Sequence, residues 1–153
     1  MTGRADFTEE EWQLVLEGPP SAGMIVITAQ RGGMFRESMS MAKAYAEARQ
    51  QHGESQLLDE IAAAKPQLDH TRYHSVEELK EQGLKRLRDG VALLEQKASP
   101  EEVEEYRRFV LDLADRVAEA HKEGFLGLSG ERVSDAERAA LAEVAEALGT
   151  KTA

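Results

Sequence analysis

The densest set of residues able to ligate a metal is Asp69, His70 and His74, with Glu77 and Glu78 close behind. Imidazoles four positions apart share one face of a helix, and imidazole with carboxylate suits zinc or a similar divalent ion. No glutamate follows His70, so the pair does not make the H-E-x-x-H pattern of metalloproteases. Ser75 reads as a helix N-cap, which leaves both histidines in the loop before it, and surface histidines there are the ordinary alternative. A second candidate is the carboxylate pair Glu37 and Glu137, able to do acid–base work or bind a hard cation. Both fall in the first turn of an expected helix, where negative charge is stabilising without any further role. His52 and His121 fall at helix ends, where they complement the dipole. Met24, Met34, Met39 and Met41 read as core fillers, with a methionine-lined ligand groove as the alternative.

The glycine-rich stretch 124–130 could cradle an anion at the start of the last helix. It is not a P-loop, because no Lys-Ser or Lys-Thr pair follows its last glycine. The favoured reading is a connector that folds Phe125, Leu126 and Leu128 back onto the core, with a partner-docking loop as a further alternative. No nucleophile–base pair, phosphate motif or dinucleotide fingerprint stands out, and no catalytic residue is assigned.

Composition narrows the choices. The net charge of −10 argues against nucleic acid and anionic membranes as partners, since both need a basic face. It suits a cation binder or a surface for a basic partner. No cysteine is present, which removes disulfides, cysteine-ligated zinc and thiol catalysis. The first residues lack the apolar run of a signal peptide. The longest apolar stretch, near residues 24–27, is far too short to span a bilayer. A soluble cytoplasmic protein of one domain over residues 1–153, with frayed ends near 1–6 and 149–153, is expected.

The elements that must position these residues are helices. Four sites match the capping box: Thr8 with Glu11, Ser75 with Glu78, Ser99 with Glu102, and Ser134 with Glu137. Pro100 follows Ser99 at the first helical position, where its missing N–H costs nothing. These signals predict helices over 8–17, 20–30, 34–52, 55–64, 75–97, 99–122 and 134–148. The first is expected to stop at Gly18-Pro19-Pro20. Residues 24–28 have strand propensity, but nothing else could supply a partner strand, so helix is expected there. A helix apolar on every side should be the central one.

Val103, Tyr106, Val110, Leu113 and Val117 recur at spacings of three and four and should share one buried face. Val76, Leu79, Gly83, Leu87, Gly90 and Leu94 make a similar stripe in the preceding helix. Two interior glycines cost about 1 kcal/mol each against alanine, which favours close approach of a neighbouring helix, with merely tolerated glycines or a hinge-like kink as the alternatives. The short link at Ser99-Pro100 predicts an antiparallel hairpin. The fold class is therefore an all-α bundle of about six to seven helices, with that long hairpin against the apolar helix.

A repeat is visible between Glu37, Met41, Ala44, Ala48 and Glu137, Leu141, Val144, Leu148. Each set follows a glycine-containing turn. The stretch from Phe109 to Ala114, continuing through Gly130-Glu131-Arg132-Val133-Ser134-Asp135-Ala136-Glu137 to Leu148-Gly149, resembles the tellurite-resistance TerB-like helical domains. Gln30-Arg31-Gly32-Gly33 with Glu37 would be the first half's version. The likeness covers about half of the chain. The turns here read Arg31-Gly32 and Ser129-Gly130 where that family usually carries aspartate before glycine. The resemblance implies a small bacterial cytoplasmic module of stress-related role that interacts rather than catalyses. The expectation is thus a non-enzymatic module with no cofactor, whose partner is another protein or a second copy. A divalent-metal or small-ligand binder is the alternative.

Overall fold

The computed structural model describes residues 3–29, 34–50, 56–64, 75–123 and 135–149; for residues 29, 34–40, 76, 120–123 and 135–137 only the backbone is described. Among these residues there are six α-helices and no strand: α1 (Glu9–Ala29), α2 (Met34–Gln50), α3 (Gln56–Ala63), α4 (Val76–Lys97), α5 (Pro100–Glu123) and α6 (Asp135–Leu148). The all-α bundle is as expected. Residues 24–28 are helical, and the Thr28 hydroxyl donates back to the Met24 carbonyl at 2.9 Å. Such back-bonding gives a β-branched threonine a place in a helix interior.

Local signals set the helix starts. The Thr8 hydroxyl accepts from the Glu11 amide at 3.1 Å, and the Glu11 carboxylate accepts from the Thr8 amide at 2.8 Å. Ser99 and Glu102 make the same reciprocal pair at 3.2 and 3.0 Å. Ser75 caps α4 by accepting from the Glu78 amide at 3.0 Å. At the other end of the chain, Gly149 follows α6 with φ +81°, the left-handed position that favours glycine.

One boundary differs from expectation. The sequence predicts a break at Gly18-Pro19-Pro20, yet α1 runs unbroken through it. Proline inside a helix removes the bond to the carbonyl four residues back and crowds that carbonyl, at about 3 kcal/mol or more. Burial outweighs that cost here: Val15, Gly18, Pro19, Pro20, Ala22 and the run from Met24 to Ile27 are all buried. Ahead of α1, Arg4–Asp6 forms a turn of 3-10 helix and Gly3 is buried.

α1 is the centre of the bundle. It packs most extensively on α4 and next on α5, which touch each other less than either touches α1. The arms of the hairpin are thus held together largely through the helix lying against both. The expected α5 stripe, Val103, Tyr106, Val110, Leu113 and Val117, is buried throughout. The glycines of α4 face α1 as expected: a Cβ on Gly83 would lie 3.0 Å from Ile25 Cδ1, and one on Gly90 would lie 3.8 Å from the Leu14 carbonyl. Gly83 opposite Ser21 and Ile25, with Gly90 opposite Leu14, makes α1 and α4 antiparallel. α2 packs on α5, where the Tyr45 and Phe109 rings meet edge to face at 5.5 Å, and α6 packs chiefly on α4.

Candidate functional site

Among the described residues, the Tyr106 hydroxyl is a fully buried polar group with a defined partner. It donates to the Val15 carbonyl at 2.8 Å, across the α5–α1 contact. In a regular helix that carbonyl would accept from the amide of residue 19, but Pro19 has none. Tyr106 therefore supplies the missing donor. Gly18 leaves room for it, since a Cβ there would fall 2.0 Å from the phenol oxygen. Burial pushes the Tyr106 phenol well above its ordinary range, helped by the nearby Tyr45, and burial does the same at Tyr45. Both phenols stay neutral at any ordinary pH, and Tyr106 is committed to a structural bond rather than to proton transfer.

Charged groups that converge do so mainly between helices. Arg107 on α5 donates through Nε to the Leu148 carbonyl at 2.6 Å, capping α6, and pairs with Glu95 of α4 at 2.8 Å and Glu104 at 3.2 Å. A cation at a helix C-terminus complements the helix dipole. Arg116 of α5 bonds Glu47 of α2 and Asp112 of its own helix, the latter at 3.0 Å. Arg86 of α4 reaches Glu17 of α1 at 3.2 Å, and Lys80 of α4 reaches Glu143 of α6 at 2.8 Å.

Beside Arg116, Asp112, Asp115 and Glu119 form an acidic stripe on α5. Desolvation, then the neighbouring Glu119 and Asp112 carboxylates, push the Asp115 carboxyl above its ordinary range. An acid whose folded pKa is raised costs stability once it ionises. That cost is absent below the unfolded value and complete above the folded one. Asp115→Asn is therefore expected to raise the melting temperature near neutral pH and to change it little near pH 3. Thermal melts of both proteins at the two pH values check this; an unchanged melting temperature near neutrality contradicts it.

A shallow groove opens along the first half of α1, lined by Glu9, Glu10, Gln13, Leu14 and Glu17. Glu9, Glu10 and Gln13 are exposed, whereas Leu14 is half-buried. The combination is an acidic rim beside an apolar strip, at a helix N-terminus where carboxylates are stabilised by the dipole.

The residues singled out in the sequence fall elsewhere. Asp69, His70 and His74 lie outside the described residues, as does the glycine-rich stretch 124–130. Glu37 is the fourth residue of α2 and Glu137 the third of α6, but their side chains lie outside what is described. Among the described residues, no three His, Cys, Asp or Glu side chains are placed to hold a metal ion, and no helix is long and apolar enough to cross a membrane. Sequence reasoning missed the Tyr106 bond. Pro19 signals an orphaned carbonyl at Val15, but nothing local says which donor meets it.

The fold and site define an all-α bundle whose central helix runs through two prolines and is held by a buried tyrosine. Comparison with protein-family models, with curated proteins and with solved structures finds no match to this chain.

Proposed function

We propose that this chain is a non-enzymatic interaction module that presents the outer face of α1 to a basic partner protein. The observation that carries this reading is the open groove along α1, with three carboxylates around Leu14. A basic amphipathic segment would complement it: cations meet the rim and an apolar side chain covers Leu14. The net charge of −10 steers such a partner from a distance. The interhelix ties fit the same reading, because they hold a rigid scaffold behind that face.

The resemblance to TerB-like domains points the same way, toward a small bacterial cytoplasmic module of stress-related role.

Native mass spectrometry of protein from its own host, beside a Glu9→Gln, Glu10→Gln variant, tests the proposal. A stoichiometric polypeptide partner that is lost from the variant is the expected result. A homo-oligomer would assign the face to self-association. A stoichiometric divalent metal that survives chelator dialysis would instead favour the metal-binding alternative at Asp69, His70 and His74, or at Glu37 with Glu137. Loss of that metal on joint His70→Ala and His74→Ala substitution would assign it to the histidine cluster.

A further inference from the structure

The segment of residues 3–8 crosses from α1 to two other helices, and its ties are of an unusual kind. At one end, the Arg4 amide donates to Glu60 of α3 at 2.6 Å, and Gly3 comes so close that a Cβ would lie 2.5 Å from Gln56 Nε2. At the other end stands Lys97, the last residue of α4. Its ammonium donates to the Asp6 carbonyl at 3.0 Å, donates to Glu11 at 2.9 Å, and stands 5.5 Å from the centre of the Phe7 ring. Phe7 in turn packs on Trp12, with ring centroids 5.6 Å apart. Trp12 is only 4% exposed.

We propose that residues 3–8 form a detachable latch, released at Lys97, which opens as one unit and bares the Trp12 edge of the core while the helices stay packed. Among the described residues, the segment meets α3 through the Arg4 amide and the buried Gly3, α4 through Lys97, and α1 through the Thr8 cap. Exposed charge pairs are individually weak and are screened by salt. The apolar contribution of the segment rests on Phe7, whereas α1, α4 and α5 share a continuous buried core. Opening the latch therefore breaks few contacts, and a segment so attached opens far more often than the whole fold unfolds. Lys97 is the point where the weak contacts converge: removing one ammonium group loosens Asp6, Phe7 and Glu11 together. The device gives a rigid bundle a reversible way to expose an aromatic edge, and it stands independently of the reading of the α1 groove.

Amide hydrogen exchange and acrylamide quenching on the full chain test this, using Lys97→Met, which keeps the aliphatic stem. Trp12 is the single tryptophan, so quenching reports on one site. The amides of residues 3–8 should exchange about five-fold faster or more in Lys97→Met, as expected for losing two exposed charge-assisted contacts. Trp12 should become more accessible to quencher, and the amides of α4 and α5 should keep wild-type rates. Lys97→Arg, which retains the charge, should behave like wild type. Unchanged exchange at residues 3–8 in Lys97→Met would overturn the proposal. So would a uniform rise across all helices, because Lys97 would then support the whole fold rather than a separable latch.

Discussion

Tyr106→Phe is expected to destabilise the fold by about 1–3 kcal/mol, the cost of leaving a buried backbone acceptor without a donor. The substitution keeps the ring and its packing and removes only the hydroxyl that bonds the Val15 carbonyl. Pro19 cannot step in, having no amide hydrogen. The effect should therefore depend on residue 19. In a Pro19→Ala background the helix regains its own donor, and the same Tyr106→Phe change should cost distinctly less. Urea unfolding of the four proteins in this cycle yields the coupling directly. Equal costs in both backgrounds would show that the hydroxyl is not substituting for the missing amide.

Gly18→Ala should cost about 1–3 kcal/mol, although alanine is the better helix former. The added methyl would sit 2.0 Å from the Tyr106 oxygen and 3.2 Å from its Cζ. That ring is fully buried and its oxygen is already bonded to Val15, so it cannot give way without breaking the bond. Gly90→Ala is the matched contrast. Its methyl would meet the Leu14 carbonyl at 3.8 Å and the Tyr106 oxygen at 3.9 Å, both ordinary contacts. It should gain the helix-propensity difference, about 0.5–1 kcal/mol. Melting temperatures moving in opposite directions check the pair. A Gly90→Ala protein that also melts lower would mean that α1 and α4 approach more tightly than these distances allow.

What could be read from the sequence was governed by distance along the chain. The caps at Thr8 and Ser99 were legible because each is closed by a glutamate three residues on. The α5 stripe was legible because one helix face repeats every three to four residues. The glycines of α4 interrupt such a stripe, and that alone foretold a close neighbour. The continuity of α1 was not legible, because the group that accommodates its proline lies on another helix. Likewise, the cap on α6 comes from Arg107, and the contact closing residues 3–8 comes from Lys97. Neither arginine nor lysine on an exposed helix face announces its partner. Of the candidate site, Glu9 and Glu10 are, on their own, ordinary first-turn charges of α1. The half-buried Leu14 between them and Glu17 is what makes that face a groove.

The bond from Tyr106 to Val15 joins residues 91 positions apart, and during synthesis that separation becomes time. At translation rates of about 5–20 residues per second, the ribosome adds those 91 residues in roughly 5–18 s. Until then the Val15 carbonyl has only water to satisfy it, and the apolar run that follows lacks the cover of a complete α5. The central helix of the finished molecule is thus among the first segments made and among the last to be completed. For that interval the nascent chain carries Met24-Ile25-Val26-Ile27 without its complete cover, a natural point for a chaperone to hold it.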